Sequence, residues 1–394
     1  MLLIYAYYGA PWAMKSGDDL RIHTICKILS EMNRTAIACN LSQHVSIPAS
    51  VRVDGVTYVA VPRKFYRILS KLIRWKLEED LNLLIKLTHY IDEAIAVAKL
   101  VHYVRRARMV YVFGSMTLFS FFVRICGARS TIVYDPLANY AQTLYLRSLR
   151  NKLSLLKYGL YLALHKLQLK ASNHMVYPSN FDLENVKRMF KLSSASIVPN
   201  PYPFCYEGHD EYILLKSKRT DYEKPRFLLL AGGRGKNNEE AVELALKVFN
   251  NLPPGRFELL ITGPWLDKKE RVKNPCIKLL GTLPHGALKE LLATADYGLA
   301  PVFGHAAGTF LKTLAYVAAG LDIVASPQAL VGIDFKRFKS KVYLVRNEKE
   351  FEETVRRLVN EWGGERRNRE IVTCDEVHAE LRRSLEEVLK TVTR

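Results

Sequence analysis

Closely spaced cysteines are missing from this 394-residue chain, although it has six cysteines in all. They stand far apart, at Cys26, Cys39, Cys126, Cys205, Cys276 and Cys374, and form no CxxC or similar pair. We therefore expect neither a disulfide scaffold nor a structural zinc site, and a reducing compartment fits this pattern.

Long apolar runs are also lacking. The uncharged stretch at residues 109–123 is short and includes Gly114 and Ser115, whereas a spanning helix needs roughly 20 mostly apolar residues. No basic start or cleavage site precedes the first apolar run at residues 2–6, so a signal peptide is not expected. The sequence predicts a cytoplasmic protein that does not cross a membrane.

Acidic residues are few compared with basic ones, which gives the chain a formal net charge of +19. The excess is uneven: residues 1–200 hold 27 Lys and Arg against 12 Asp and Glu (net +15), and residues 201–394 hold 31 against 27 (net +4). A basic first half calls for an anionic partner, which can be nucleic acid, an anionic membrane or an acidic substrate.

Strand and helix patterns alternate along both halves. In the first half, apolar runs at 109–113 and 131–134 accompany helical periodicity at 19–31 and 78–105. The alternation restarts after residue 201, beginning with a strand pattern at 226–231. This order predicts an α/β protein with two parallel-sheet domains, joined near residue 200.

Two glycine-containing loops stand between a predicted strand and a predicted helix in the second half. The first is GGRGK at 232–236, and the second is GHAAGT at 304–309. Glycines let the backbone approach a ligand, and a helix N-terminus offers free N–H groups to an anion. Each loop is either a phosphate seat or an ordinary turn. Taken together, they favour a diphosphate lying at the edge of the sheet.

The segments at 226–360 resemble those of group 1 (family 4-like) glycosyltransferases. The resemblance rests on GGRGKNNEEAVELAL, FELLITGP, IKLLGTLPHGALKELLATADYGLAPV, GTFLKTLAYVAAGLDIVAS and KVYLVRNEKEFEETVRRLV, in that order. More loosely, KSGDDLR at 15–21, VYPSNFD at 176–182 and VPNP at 198–201 resemble markers of the first domain.

The resemblance implies the GT-B fold, in which two Rossmann-like domains face each other across a cleft. The domains expected here are an acceptor domain at 1–200, a nucleotide-sugar domain at 201–370 and a helix at 371–394 that returns to the first domain. The implied reaction transfers a sugar from a nucleotide-sugar donor, with retention of configuration, to a lipid-linked or polymeric glycan. No cofactor is implied beyond the donor substrate.

Residues matching the family pattern are expected to bind the donor. Arg234 and Lys236 match the basic pair at the diphosphate, and Gly17 matches the first-domain loop that closes over it. The full expected set is Gly17, Gly233, Arg234, Lys236, Gly263, Thr282, Leu283, Gly308, Thr309 and Phe310. One departure is that the two carboxylate positions of the family hold Ala307 and Ala315.

Catalytic candidates are fewer. Asp135, at the end of a predicted strand, could orient the acceptor or the sugar hydroxyls, but an Asp that starts a turn before Pro136 fits as well. His305 either contacts the donor sugar or belongs to a surface loop. No Asp-x-Asp pair that could bridge a metal to the diphosphate occurs, so we expect transfer without a metal.

The basic excess of the first half is concentrated at residues 61–76, VPRKFYRILSKLIRWK, which hold six basic residues and no acidic one. As a helix, this segment would have one apolar and one basic side, as helices at anionic membrane surfaces do. A core-packed helix with a solvated basic face is the alternative. The sequence therefore favours a protein peripheral to the inner face of a membrane, while nucleic acid lacks any supporting motif.

Two hypotheses remain from the sequence. The first is a nucleotide-sugar glycosyltransferase. The second is a non-catalytic binding or scaffold protein of the same fold, which lost its affinity for the donor when it lost the two carboxylates.

Overall fold

The protein is described here from a computed structural model. The structure describes residues 2–6, 17–32, 36–42, 50–62, 82–114, 117–137, 152–192, 194–233, 235–304, 309–335, 338–364 and 369–393. The chain forms two compact units: the first unit is Met1–Pro201 with Glu380–Arg394, and the second unit is Tyr202–Ala379.

The described residues of the first unit form an eight-stranded sheet with the order β3-β4-β2-β1-β5-β6-β7-β8. The strands are β1 (Leu2–Ala6), β2 (Ala36–Ser42), β3 (Ser50–Val53), β4 (Val56–Pro62), β5 (Met109–Phe113), β6 (Thr131–Asp135), β7 (His174–Tyr177) and β8 (Ala195–Ile197). Neighbouring strands run parallel except at the edge pair β3 and β4. The parallel sheet predicted from the alternating pattern is thus confirmed.

The edge hairpin of β3 and β4 was not predicted. Its two-residue turn has positive φ at both positions, 48° at Asp54 and 78° at Gly55, which matches the right-handed twist of the strands. Val61 and Pro62 continue β4 and pair with the end of β2. The prediction that a basic helix begins at Val61 is therefore wrong, and the remainder of that segment, residues 63–76, lies outside the described residues.

The described helices of the first unit lie between these strands. They are α1 (Gly17–Met32), α2 (Asn82–Lys99), α3 (Val101–Arg106), α4 (Phe119–Ile125), α5 (Lys152–Ala171) and α6 (Asn180–Met189). The single periodic segment expected at 78–105 is thus divided into α2 and α3, and its first four residues lie outside the described ranges.

The second unit has a parallel sheet of six described strands in the order β11-β10-β9-β12-β13-β14. The strands are β9 (Arg226–Leu230), β10 (Glu258–Thr262), β11 (Ile277–Gly281), β12 (Tyr297–Ala300), β13 (Asp322–Ala325) and β14 (Val342–Leu344). The helices are α7 (His209–Ser217), α8 (Lys236–Phe249), α9 (His285–Thr294), α10 (Leu311–Ala318), α11 (Glu348–Asn360) and α12 (Cys374–Thr393), the last of which continues into the first unit.

The second sheet is buried on both faces. In β9, Phe227 and Leu229 contribute to one apolar cluster, and Leu228 contributes to another. Consecutive side chains of a strand point to opposite faces, so a continuous apolar run is what a strand covered on both sides requires. The run predicted at 226–231 therefore forms a central strand.

Local signals explain where a helix such as α11 begins. The Asn347 side chain accepts a hydrogen bond from Glu350 N at 2.9 Å, and the Glu350 carboxylate accepts one from Arg346 N at 2.9 Å. These bonds satisfy backbone N–H groups that the first turn leaves without partners. Phe351 and Val355, spaced by four residues, then bury one face of the helix.

One pair of cysteines forms a disulfide, contrary to the expectation from sequence. Cys205 and Cys374 are 169 residues apart in the chain, but their Cα atoms lie 4.9 Å apart. The spacing of cysteines along the sequence could not reveal this pair, because the fold brings them together.

Among the described residues, no helix has the length and apolar character needed to cross a membrane.

Candidate functional site

The candidate site lies where β9 and β12 end in the second sheet. From β9 the chain proceeds outward to β10 and β11, and from β12 it proceeds outward in the opposite direction to β13 and β14. This reversal between neighbouring strands is the position at which open parallel sheets bind ligands, beyond the carboxyl ends of the strands. Both glycine loops singled out in the sequence follow these two strands.

The loop after β9 carries the first set of expected donor-binding residues. Gly233 is exposed, Gly235 has an extended backbone, and Lys236 is the exposed first residue of α8. The Lys236 ammonium lies 3.5 Å from the Glu240 carboxylate, one turn along the helix. Arg234, the other half of the expected basic pair, lies outside the described residues.

The loop after β12 approaches the first turn of α8. A Cβ atom placed on Gly304 would lie 2.9 Å from Asn237 Oδ1, so the two loops are in close contact there. His305, Ala307 and Gly308 lie outside the described residues. The next described residue is Thr309, whose hydroxyl is buried without a hydrogen-bond partner.

Lys312 joins the two loops. Its Nζ donates a hydrogen bond to Asn238 Oδ1 at 2.8 Å, and Asn238 Nδ2 donates one to the carbonyl oxygen of Gly233 at 2.9 Å. The ammonium also lies 5.8 Å from the centre of the Phe310 ring. Burial lowers the pKa of Lys312 to about 8. Among the described residues, Lys312 forms no ion pair with a carboxylate, and the acceptor of its hydrogen bond is the neutral amide of Asn238.

Tyr316 holds the ends of β9 and β12 at a fixed separation. Its hydroxyl accepts a hydrogen bond from Leu230 N at 2.8 Å and donates one to the carbonyl oxygen of Leu299 at 3.1 Å. A Cβ atom on Gly298 would lie 2.3 Å from the Tyr316 ring, so the missing side chain makes room for this ring. Tyr316 could not be predicted from the sequence, because an aromatic residue on an apolar helix carries no distinguishing signal.

Three further expected residues lie at the same edge. Gly263 follows β10 with φ of +112°, and Thr282 and Leu283 follow β11, the former exposed and the latter half-buried. The structure therefore brings Gly233, Lys236, Gly263, Thr282, Leu283, Thr309 and Phe310 to the carboxyl edge of the second sheet.

Ala315, at one of the family's carboxylate positions, is fully buried in an apolar cluster with Tyr316. Lys312 precedes it by three residues on α10, so both lie on neighbouring positions of one helix face. A cation thus stands one turn from the position where the family has an anion.

Asp135 and Gly17 belong to the first unit. Gly17 begins α1, and Asp135 ends β6 with no exposed surface. Asp135 Oδ2 accepts hydrogen bonds from Arg21 Nη2 at 2.8 Å and Arg21 Nε at 3.1 Å, while Oδ1 accepts one from Leu137 N at 3.0 Å. A carboxylate with these partners matches the turn-starting alternative weighed in the sequence.

Arg21 connects three segments that lie far apart in the sequence. Besides Asp135, its guanidinium donates to the carbonyl oxygen of Pro199 at 2.8 Å and to Asn200 Oδ1 at 3.1 Å. The segment at 15–21, the end of β6 and the VPNP marker therefore meet at one buried side chain, which is only 2% exposed.

The arrangement in the second unit can bind an anion. It offers a half-buried ammonium without a recorded carboxylate partner, a hydroxyl without a partner and glycine backbone at two strand ends. Within the described parts of the chain, no group of three or more His, Cys, Asp or Glu side chains is placed to hold a metal ion.

Solved structures with a similar fold span nearly the whole chain. Sucrose-phosphate synthase from Thermosynechococcus elongatus has a TM-score of 0.69 at 11% identity, covering 99% of this chain and 96% of that one. A trehalose-6-phosphate structure from E. coli bound with UDP-2-fluoro glucose has a TM-score of 0.66 at 12% identity, covering 100% and 99%. WaaG, a glycosyltransferase involved in lipopolysaccharide biosynthesis, has a TM-score of 0.63 at 13% identity, covering 100% of both chains.

At these identities the likeness shows the fold, which is GT-B with two Rossmann-like domains, as predicted from the sequence. Neither a protein-family model nor a curated protein sequence matches the chain.

Proposed function

We propose that the protein is a glycosyltransferase that takes a nucleotide sugar as its donor. The observation that carries this proposal is the presence of two polar groups beside the glycine loops at the switch point of the second sheet. One is the Lys312 ammonium, which donates to the neutral amide of Asn238, and the other is the buried Thr309 hydroxyl, which has no hydrogen-bond partner. The fold neighbours support it, because one is bound with UDP-2-fluoro glucose and another is a glycosyltransferase of lipopolysaccharide biosynthesis.

The chemistry of glycosyl transfer explains why such groups are needed. The bond from the sugar to the diphosphate breaks as the bond to the acceptor forms, so negative charge develops on the departing nucleoside diphosphate. Positioned cations and N–H groups stabilise that charge most effectively where water is excluded. Lys312 and Thr309 would contact the diphosphate, with Lys236 at the rim of the site. We further propose retention of configuration and transfer without a metal, the side chains supplying the positive charge.

The clearest test of donor binding is the replacement of Lys312 with alanine. We expect the affinity for UDP-glucose, or for whichever nucleotide sugar binds, to fall roughly tenfold to 100-fold, because a hydrogen bond to a charged group contributes about 1.5–3 kcal/mol. Isothermal titration calorimetry of wild type and variant measures the change. Lys247→Ala is the control, since Lys247 is an exposed lysine on α8 that pairs with Glu348 instead.

The pH dependence of binding provides a second readout of the same residue. Because the pKa of Lys312 is about 8 in the free protein, the ammonium is intact below that pH and is lost as the pH rises through it. Donor affinity should therefore be highest on the acidic side and should decline between about pH 7 and about pH 9. The Lys312→Ala variant should lose this decline, and an unchanged profile in the variant would exclude Lys312 as its source.

The broader function is tested by titration with UDP, GDP and ADP. Absence of binding to any of them at millimolar concentration would rule out the transferase and leave the non-catalytic binding protein. The burial of Ala315, where the family has a carboxylate, is the observation that favours this second candidate. A thermal-shift screen of nucleotide sugars, followed by a hydrolysis assay of the one that stabilises, separates binding from catalysis.

For the acceptor, we propose a lipid-linked or polymeric glycan at the inner face of a membrane. The support is the basic excess of residues 1–200 and the segment at 61–76. We expect the triple variant Arg67→Glu, Lys71→Glu and Arg74→Glu to bind anionic liposomes at least about tenfold more weakly, since each basic residue near anionic lipid contributes about 1 kcal/mol. Co-sedimentation measures this, and binding equal to that of wild type would count against this segment as the anchor.

A further inference from the structure

The chain passes between the two units twice, and both passages lie beside the disulfide. The first unit ends at Pro201 and the second begins at Tyr202; the second ends at Ala379 and the first resumes at Glu380. Cys205 and Cys374 are each only a few residues from one of these passages. The bond therefore joins two segments of the second unit, each of which leads along the chain into the first unit.

The passages are also joined by backbone contacts, but these are few. Tyr206 and Thr373 form an isolated parallel bridge. Cys374 N donates to the carbonyl oxygen of Tyr206 at 2.8 Å, and Tyr206 N donates to that of Val372 at 3.4 Å. Tyr206 and Ile371 also pack in one apolar cluster, so without the disulfide these bonds and this packing would connect the two segments.

Each segment is itself firmly anchored. Tyr206 is fully buried, and its ring lies 5.1 Å from that of Tyr212 in an edge-on arrangement. Thr373 and Glu376 cap the start of α12, with Glu376 N donating to Thr373 Oγ1 at 3.3 Å and Thr373 N donating to Glu376 Oε2 at 2.8 Å. Cys374 is the first residue of α12, and that helix continues into the first unit.

We propose that the Cys205–Cys374 disulfide is a redox-controlled clasp between two segments of the second unit, the one that holds Cys205 and the start of α12. In the oxidised protein, the segment that holds Cys205 and the start of α12 move as one body. Reduction by a dithiol transfers two electrons and two protons to the bond, giving two thiols on the protein and one disulfide on the reductant. The two segments are then held by the backbone bridge and by the packing of Tyr206 and Ile371 in one apolar cluster, without a covalent bond between them. This inference goes beyond the proposed function and does not depend on it.

The test compares the full-length oxidised protein with the same protein treated with dithiothreitol. We expect reduction to expose two additional thiols in the denatured chain and to lower the Tm by several degrees. Amide hydrogen exchange at Tyr206 and Cys374 should accelerate about tenfold or more on reduction, while exchange in β9 and β10 stays the same.

Serine variants separate the clasp from other effects of reductant. Cys205→Ser and Cys374→Ser should each show the faster exchange of the reduced protein, with or without dithiothreitol. Cys126→Ser is the control, because Cys126 is a free cysteine, and it should respond to reductant as wild type does. If a serine variant does not fold, the comparison of oxidised with reduced wild type still decides the matter.

Two results would overturn the proposal. One is full reactivity of both cysteines in the protein purified without reductant, which would show that the bond does not form. The other is unchanged exchange at Tyr206 and Cys374 after reduction, which would show that the bond forms without holding the two segments together. Neither measurement involves glycosyl transfer, so failure here and failure of the proposed function are distinguishable.

Discussion

Replacing Arg21 with methionine is expected to destabilise the first unit by about 3–5 kcal/mol. Arg21 is 2% exposed and Asp135 is 0% exposed, so the variant leaves a carboxylate buried without its cation. The substitution also removes the donors to Pro199 O and Asn200 Oδ1. Guanidinium-induced unfolding, followed by a probe in the first unit, measures the loss, because two units need not unfold together.

Further variants test whether loss of the Arg21–Asp135 ion pair causes the loss of stability. Arg188→Met is the control, since Arg188 is exposed on α6 of the same unit and its loss should change stability little. The double variant Arg21→Met with Asp135→Leu should regain part of the stability, because it leaves no unpaired charge. A change below about 1 kcal/mol for Arg21→Met would contradict the account.

The same set of variants addresses whether Asp135 acts on a substrate. If its role is structural, Asp135→Asn should lower the Tm, and any loss of activity should parallel the loss of folded protein. A catalytic role would instead give a folded variant of ordinary Tm with little activity. The complete burial of Asp135 and its bonds to Arg21 favour the first outcome.

The fold could be predicted from sequence because parallel strands buried on both faces leave a strong pattern. Runs such as that of β9 are apolar without interruption, and helical periodicity separates them. The predicted ends of the strands were less accurate. The strand pattern at 226–231 forms β9, which ends one residue earlier, at Leu230.

Other features were missed although the sequence holds a local signal for them. The Asp54-Gly55 dipeptide between β3 and β4 is typical of a two-residue hairpin. The basic segment was predicted to begin at Val61, but Val61 and Pro62 complete β4. An apolar run that precedes a basic segment can belong either to a strand or to a helix formed by the basic segment. Only the neighbouring strand with which it pairs, here β2, decides between the two.

The glycine loops of the candidate site were predictable, but the side chains between them were not. Glycine after a strand and before a helix is a local signal, and both loops lie at the predicted edge. Tyr316 acts through contacts with residues 17 and 86 positions away, and Asn238 contacts Lys312, which is 74 positions away. Such contacts depend on strand order, and a single sequence does not encode strand order in any short pattern.

Substituting Gly263 with alanine is expected to destabilise the second unit and to weaken nucleotide binding together. At φ of +112° any other residue is strained, and the added Cβ would lie 2.0 Å from the carbonyl oxygen of Ala231. Backbone strain and overpacking each cost about 1–3 kcal/mol. Because Ala231 begins the loop that holds Gly233, relief of the collision would displace one side of the candidate site. Chemical unfolding and calorimetric titration with UDP measure the two effects.

Substitutions at two other glycines distinguish the effect of backbone strain from the effect of the collision with Ala231. Gly255→Ala imposes a similar backbone strain at φ of +80° in open space, and Gly286→Ala adds a methyl group in open space without a positive φ. We expect the loss of stability to decrease in the order Gly263, Gly255, Gly286, with UDP affinity reduced only for Gly263→Ala. Equal losses for Gly263→Ala and Gly255→Ala would show that the contact with Ala231 contributes nothing. In that case Gly263 would be required for its backbone conformation alone, and the loop after β9 would be positioned by Tyr316 and Lys312.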